Sequence, residues 1–156
     1  MESAYNLFKP MRIFLISASC EGRDNFMPAT WCFPLSSEPQ LFGVAIVKKR
    51  FTYDLIQKSK EYVINIPGEG LAEMIEKYGR ITGRDNDKFA LAGLTREKSE
   101  KISAVSIKEC LQSIECKVIN EIETGDHVIF VGKAENVKLR TSGTGIYSAS
   151  SGIIKI

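Results

Sequence analysis

The chain has 156 residues and a formal net charge of +2, with 44% hydrophobic and 26% charged residues. Such values are typical of a folded domain with its own core, and the balanced charge argues against a nucleic-acid-binding surface. The sequence contains no apolar run of membrane-spanning length. Its four cysteines lack CxxC spacing and it has one histidine, which excludes the usual zinc-binding patterns, so we predict no metal site.

The first ten residues lack the charged and then apolar pattern of a secretion signal. We therefore expect a cytoplasmic protein, in which cysteines are normally free thiols. No linker or internal repeat divides the sequence. We expect one domain over residues 1–156, without membrane or nucleic-acid interactions.

Short apolar runs separated by turn residues predict strands in the first half of the chain. The predicted strands are residues 13–16, 26–35, 41–47 and 62–66. The first is short and wholly apolar, as in a strand that is buried on both faces. The second contains Pro28 and Pro34, which places it at a sheet edge or requires bulges. Thr52 is expected to cap a short helix that runs through Ser59.

The second half combines one helix with a hairpin. Apolar residues at helical spacing predict a helix over residues 71–78. Residues 114–122 alternate between apolar and polar, with Glu115 on the polar side, and residues 127–137 return as their partner after a turn. Residues 82–101 are expected to form polar loops, and residues 141–156 have no clear period. About six strands and two modest helices favour an antiparallel barrel over a doubly wound parallel sheet.

Two cationic segments are candidates for an anion site. Lys48, Lys49 and Arg50 end the apolar strand 41–47, and Thr52 adds a hydroxyl nearby. The segment 82–88 carries further cations and a glycine. A phosphate is bound by charge-assisted donors from several directions, which these residues can supply together. Cations at a strand end are more commonly only solvated, and the residues alone leave both interpretations open.

Trp31 and His127 are candidates for contact with a flat aromatic ligand. Trp31 is the only tryptophan and stands between Thr30 and Cys32, although a lone tryptophan more often belongs to a core. His127 follows a turn and is the side chain suited to handling a proton near neutral pH or orienting a ligand, although such a histidine is often structural. A glycine pair at Gly68 and Gly70 lacks the third glycine of a dinucleotide-binding fingerprint.

The order of these features resembles the flavin reductase-like, FMN-binding split-barrel family, and within it the flavoredoxin branch. The matching stretches, in family order, are GRDNFMPATW (22–31), GVAI (43–46), KRFTY (49–53), YVINIP (62–67), TGRD (82–85), DKF (87–89), GDH (125–127) and FVG (130–132). The resemblance implies a mainly β, α+β protein. Its expected architecture is a six-stranded antiparallel Greek-key split β-barrel with two or three short flanking helices. It also implies a homodimer that holds FMN non-covalently near the interface.

The resemblance assigns roles to individual residues. The flavin ring would be lined by Thr30, Trp31 and Cys32 and by backbone groups of Ala45, Ile46 and Val47. The phosphate would be held by Lys48, Arg50 and Thr52. The segment closing over the cofactor would contribute Thr82, Gly83, Arg84 and Lys88. His127 would lie near the reactive face as the catalytic residue. The tail over residues 147–156 lacks the aromatic-rich ending of many members, so the acceptor is left open.

Three functions are compatible with this interpretation. The first is an NAD(P)H-dependent flavin or ferric reductase, which takes electrons from NADH or NADPH and passes them through FMN to a small molecule or a protein partner. The second is a flavoredoxin-type electron carrier that does not use nicotinamide. The third is a non-redox β-barrel that binds a nucleotide or single-stranded RNA, for which aromatic residues interleaved with cations are sparse here.

Overall fold

An antiparallel sheet of seven strands lies at the centre of residues 3–156, which this computed structural model describes. The strands are β1 (Met11–Arg12), β2 (Phe14–Cys20), β3 (Arg23–Ala29), β4 (Cys32–Ser37), β5 (Gln40–Val47), β6 (Glu61–Ile66), β7 (Arg96–Glu97), β8 (Ser106–Ile107), β9 (Gln112–Glu123), β10 (His127–Leu139), β11 (Ile146–Ala149) and β12 (Gly152–Lys155). The helices are α1 (Phe51–Ser59), α2 (Ala72–Tyr78) and α3 (Lys88–Ala92), with 3-10 turns at Ala4–Phe8 and Glu69–Leu71. The large sheet has the order β3-β2-β6-β9-β10-β5-β4.

The large sheet separates two hydrophobic cores. Successive residues of a strand point to opposite faces, so Ile16 of β2 packs inside the barrel while Leu15 packs outside it. Helix α1 fills the inner core, and α2 and α3 cover the outer one through Ile75 and Phe89. The prediction that the first strand is buried on both faces is confirmed.

Helix α1 forms where expected, but Thr52 is not its cap. The residue before the helix is Arg50, whose extended backbone starts the first turn without a side-chain hydrogen bond to it. Thr52 is fully buried, and its hydroxyl accepts a hydrogen bond from Asn25 Nδ2 at 3.0 Å. The helix buries Leu55 and Ile56 and ends at Lys60, which has a left-handed backbone conformation.

The prediction of a single strand over residues 26–35 is wrong. The chain leaves the sheet after Ala29 and returns at Cys32, so β3 and β4 lie at opposite edges of the seven-stranded sheet. Each edge strand contains one of the two prolines, and β4 has a register shift between Pro34 and Ser36. The expectation of edges or bulges is therefore confirmed, because proline cannot donate to a second neighbouring strand.

Two segments for which the sequence predicted no helix or strand contain regular structure. The segment 82–101 includes α3, whose N-cap Asp87 accepts a hydrogen bond from the backbone of Ala90, as well as β7. The C-terminal tail forms the β11–β12 hairpin, and β11 also pairs with β1. The tail lacked a readable period because its strands are only four residues long.

Glu115, predicted to face solvent from β9, is only 1% exposed. Its carboxylate accepts hydrogen bonds from the backbone N–H groups of Glu100 and Lys101 and from Asn136 Nδ2. The segment before β8 therefore covers the outer face of β9. The predicted antiparallel barrel with short helices is confirmed, with seven strands in the main sheet instead of six.

Candidate functional site

A small cavity of about 170 Å³ lies at the N-terminus of α1. It is lined by Asn25, Met27, Lys49, Arg50, Phe51, Thr52, Gly79, Arg80, Ile81, Thr82, Gly83 and Lys88. The strand β3, the first turn of α1, the segment after α2 and the start of α3 thus meet at one point. Both cationic segments singled out in the sequence contribute to this cavity.

The charges around the cavity are all positive. Arg50, Arg80 and Lys88 line it together with Lys49, and none of the described lining residues carries a carboxylate. The first backbone N–H groups of a helix are free and carry a partial positive charge, and here no side chain caps them. The arrangement therefore suits a small anion, above all a phosphate.

Lys88 is the most unusual of these cations because it is only 3% exposed. Within the part of the chain that the structure describes, Lys88 takes part in no ion pair. Burial, and then the nearby charge of Arg50, lower the pKa of Lys88 to about 8. Burying a cation without a counter-charge costs free energy. An anion in the cavity would therefore stabilise the charged form of Lys88.

Asn25 supports the floor of the cavity and was missed as a site residue by sequence reasoning. Its amide nitrogen donates to Thr52, while its Oδ1 is buried and has no hydrogen-bond partner among the described residues. Gly83 packs directly on this amide, since a Cβ built at Gly83 would lie 2.0 Å from Oδ1. The only sequence signal was the position of Asn25 within the GRDNFMPATW stretch.

Two further cavities continue the first one into a groove. A cavity of about 750 Å³ shares Met27, Arg50, Gly79 and Arg80 with it, and is bordered by the β11–β12 hairpin at Ser148 and Ile153. A third cavity of about 480 Å³ shares Thr30 with the second. The three cavities therefore form a series, called the groove below, from the anion site at α1 to the segment that carries Thr30, Trp31 and Cys32.

The far end of the groove is aromatic. The rings of Trp31 and His127 stack with centroids 4.4 Å apart and an interplanar angle of 29°, and Tyr5 meets Trp31 edge to face. His127 Nδ1 lies 2.6 Å from Asp126 Oδ1. This hydrogen bond holds the pKa of Asp126 below its usual value. Trp31 is 36% exposed, so it lines the groove and is not the core residue that a lone tryptophan often is.

Cys32 lines the same end of the groove, but its thiol is unreactive. Burial raises the pKa of the Cys32 thiol to about 12, which keeps it protonated at neutral pH. Its role in any site is therefore one of shape.

The strand β5 offers backbone groups beside Trp31. Its pairing with β4 ends where Cys32 faces Val44. One further hydrogen bond follows, from the Ala45 N–H to the Trp31 carbonyl. Beyond this point Ile46 and Val47 have β10 on one side and no strand on the other. Ala45 lines the third cavity, beside Trp31, whereas the Ile46 side chain is buried in the core.

Lys48, expected at the phosphate, and Arg84, expected in the segment that closes over the cofactor, do not line this cavity. Lys48 points to solvent and forms an ion pair with Glu123 at 2.7 Å, because it lies beyond the end of β5 on the side of the β9–β10 turn. Arg84 lies on the outer side of the loop and binds Asp54. Of the predicted residues, the structure brings Arg50, Thr52, Thr82, Gly83 and Lys88 together at one end of the groove.

Residues 9–151 match the sequence model of the flavin reductase like domain. The chain belongs to this family. An uncharacterized protein of Archaeoglobus fulgidus is 41% identical over 128 residues, which cover 82% of this chain and 72% of that protein.

Solved structures of the same fold agree with this assignment. The flavoredoxin of Desulfovibrio vulgaris (Miyazaki F) superposes with a TM-score of 0.85 at 28% identity, covering 95% of this chain and 87% of that one. An FMN-binding protein from Thermus thermophilus has a TM-score of 0.88 at 23% identity, covering 99% and 90% of the two chains, which supports the fold. The split-barrel architecture expected from the sequence is thereby confirmed.

Two negative findings apply to residues 3–156. None of the described helices is long and apolar enough to pass through a bilayer. No group of three or more His, Cys, Asp or Glu side chains in this range is arranged as a metal site.

Proposed function

We propose that the chain binds FMN non-covalently and serves as an NAD(P)H-dependent reductase that passes electrons to a small acceptor or a partner protein. The observation that carries this proposal is the groove itself. It joins an anion-binding end at α1 to an aromatic end at Trp31, and FMN has a phosphate at one end and a flat ring at the other. Membership of the flavin reductase like family supports the same ligand.

The phosphate end fits the residues present. A phosphate in the cavity would give Lys88 the counter-charge that it lacks, and would accept from Arg50 and from the free N–H groups at the start of α1. Thr82 and Gly83 would line the opposite wall, while Thr52 and Asn25 would hold the floor. Lys48 is left out of this assignment because it does not line the cavity.

The ring end fits as well. Thr30, Trp31 and Cys32 would lie against the flavin ring. At the edge of β5 the Ala45 N–H donates to Trp31 and the Val47 carbonyl accepts from Arg50, so only the remaining backbone groups from Ala45 to Val47 would be offered to the polar rim of the ring. When bound, FMN supplies the redox chemistry, since it accepts a hydride from reduced nicotinamide and returns electrons to an acceptor. His127, held by Asp126 and stacked on Trp31, would orient the nicotinamide or handle a proton beside the ring.

A carrier without nicotinamide chemistry is the second candidate. It is favoured by the 28% identity to a flavoredoxin over 95% of this chain. In that case the same groove would hold FMN, and His127 would have a structural role.

A second copy of the chain is the partner that we propose for the outer face of β9, β10 and β5. Val128 and Phe130 point into the core, so Ile129 and its cross-strand partners Ile122 and Ala45 lie on the opposite face. Ile122 is 44% exposed. The aromatic end of the groove opens on this face, so a second copy would also cover the flavin. We expect wild-type protein to be dimeric by light scattering and Ile122→Glu to shift it towards monomer.

The four cysteines are free thiols, which supports the proposed cytoplasmic location.

The decisive experiment is the visible absorption spectrum of purified protein after incubation with FMN and desalting. Retained flavin bands that differ in shape from those of free FMN would establish binding. Anaerobic titration with NADH and NADPH would then separate the two redox candidates, because prompt bleaching identifies a reductase and lasting oxidised bands identify a carrier. A protein that stays colourless with FMN and with FAD would refute both and favour a non-redox binding module.

A further inference from the structure

The loop around Gly83 and Arg84 is tied firmly to the start of α1. Arg84 Nη1 donates to Asp54 Oδ2 at 2.6 Å, and Arg84 Nη2 donates to the carbonyl of Lys49 at 3.0 Å. The loop therefore crosses over the first turn of the helix at the point where the anion cavity lies.

A second arginine fixes the same loop from β3. Arg23 Nη2 donates to the carbonyls of Gly83 and Arg84 at 3.1 and 2.7 Å. The guanidinium groups of Arg23 and Arg84 lie 4.3 and 5.6 Å from the centroid of the Phe51 ring. Phe51 is the first residue of α1, so the two arginines join the loop, the strand and the helix into one wall.

This wall separates a cationic cavity from one in which positive and negative side chains balance. Gly83 lines both the anion cavity and an outer cavity of about 520 Å³. The described residues lining the anion cavity include cations and no carboxylate. The outer cavity is lined by three carboxylates and three guanidinium groups, those of Asp24, Asp85, Asp87, Arg23, Arg84 and Arg96. Asp24 and Asp87 are paired with Arg96, which leaves the outer side without a strong excess of positive charge.

The size of the anion cavity also matters. Pockets that hold a whole drug-sized ligand have about 300–1,000 Å³, and this one has about 170 Å³. It has room for one end group of a ligand and not for a continuing chain.

We propose that the wall formed by Gly83 and Arg84 selects a flavin that ends in a phosphate monoester and disfavours a dinucleotide such as FAD. This inference rests on the proposed flavin-binding function and adds its specificity. The adenylate arm of FAD would have to displace the wall or leave the anion cavity by the same mouth. Beyond the wall, its second phosphate would find no excess of positive charge, because the arginines there are balanced by Asp24, Asp85 and Asp87. Arg84 is then a specificity residue that acts by closing the cavity, without lining it.

The test compares the Kd values for FMN and FAD in wild-type protein, measured by flavin fluorescence under identical conditions. We expect wild type to bind FMN at least about tenfold more tightly than FAD, which corresponds to about 1.4 kcal/mol. Arg84→Ala should reduce this ratio by at least about threefold, because the wall loses its bonds to Asp54 and Lys49. Lys58→Ala is the matched control, because it removes an exposed cation from the last turn of α1 and should leave the ratio unchanged.

Asp54→Asn provides an independent variant, since it weakens the anchoring of Arg84 with little change in shape. If circular dichroism shows that Arg84→Ala does not fold, the FMN-to-FAD Kd ratio of Asp54→Asn tests the inference instead. Equal affinities for FMN and FAD in wild type, or a wild-type ratio in the folded wall variants, would overturn the inference and leave the proposed function intact. Wild-type protein that binds neither flavin would refute the proposed function, and the inference with it.

Discussion

The ammonium group of Lys88 lies 4.8 Å from the centroid of the Phe26 ring, in a side chain that is almost fully buried. An aromatic face compensates only part of the hydration that a cation loses on burial. Lys88 also shares its cavity with Arg50, a second cation that disfavours its charge. Such a pair is destabilising in the free protein and becomes favourable when a phosphate lies between the two groups.

Replacing Lys88 with methionine should therefore have opposite effects on stability and on binding. In flavin-free protein at pH 7, Lys88→Met should raise the Tm, because it removes a buried charge and keeps an unbranched chain of similar length. The same variant should bind FMN about tenfold or more weakly, since a hydrogen bond to a charged group contributes about 1.5–3 kcal/mol. Differential scanning calorimetry and fluorescence titration measure the two effects. A lower Tm together with unchanged FMN affinity would contradict the assignment of Lys88 to the phosphate.

The lowered pKa of Lys88 predicts two opposite dependences on pH. Between about pH 8 and the ordinary lysine value the unfolded chain binds more protons than the folded one, so this group's contribution to stability rises with pH. FMN binding should weaken over the same window, because a phosphate prefers the ammonium form and the free protein loses that proton above about pH 8.

The measurement is the Kd for FMN from pH 7 to pH 9.5 in wild type and in Lys88→Met. The wild-type Kd should increase above about pH 8, and the Kd of the variant should change much less. Parallel curves for the two proteins would mean that another group controls the dependence.

The core elements of this fold are readable from sequence because local pattern and tertiary environment agree. The apolar run before Lys48 became β5, and the alternation around Ile114 became β9, since Val44, Ile46 and Cys116 are buried in the core and Ile114 packs against it. Beyond the register shift in β9 the alternation no longer holds, and Ile122 is exposed. The pattern fails where a distant segment changes the environment. Glu115 looks solvent-facing in its strand, yet residues 100–101 fold over it and supply two backbone donors.

The candidate site was only partly predictable for the same reason. Arg50, Thr52, Gly83 and Lys88 were identified from charge, glycine content and family resemblance, and they meet in one cavity. Lys48 has the same chemistry as its neighbours but lies outside the cavity, on the side of the β9–β10 turn, where it pairs with Glu123. Asn25 is a site residue because Gly83 packs on its amide, a contact across 58 positions that no local pattern records.

Gly83 is predicted to be intolerant of a side chain. A Cβ at this position would lie 2.0 Å from Oδ1 and 2.4 Å from Cγ of Asn25, which is held by its bond to Thr52. Gly83→Ala should therefore displace the loop and weaken FMN binding about tenfold, the equivalent of about 1.4 kcal/mol. Gly70→Ala is the matched control, since a Cβ there meets no atom within 4 Å. Equal FMN affinities in the two variants would show that the loop can move aside without consequence.

Glu115 is predicted to stabilise the protein without affecting the flavin site. Glu115→Leu keeps most of the volume but leaves the backbone donors of Glu100 and Lys101 without their acceptor. Unsatisfied buried groups cost about 1–3 kcal/mol, and we expect a loss of this order in urea denaturation with little change in FMN affinity. Glu123→Gln, which alters an exposed ion pair, should change stability far less than Glu115→Leu. A variant at Glu115 as stable as wild type would mean that water replaces the carboxylate.

His127 is predicted to affect reduction of the bound flavin more than binding of the flavin. Its ring stacks on Trp31, and its nitrogens are the only part of the side chain that can donate or accept a proton. His127→Phe preserves an aromatic ring for the stack and removes the nitrogens. It should bind FMN with nearly wild-type affinity but slow anaerobic reduction by NADH or NADPH about tenfold, a change of about 1.4 kcal/mol in the barrier.

His127→Ala should show the same slow reduction, with somewhat weaker binding because the stack is lost. If His127→Phe is reduced at the wild-type rate while His127→Ala is slow, the ring of His127 acts by packing alone. Unchanged rates in both variants would remove His127 from the mechanism.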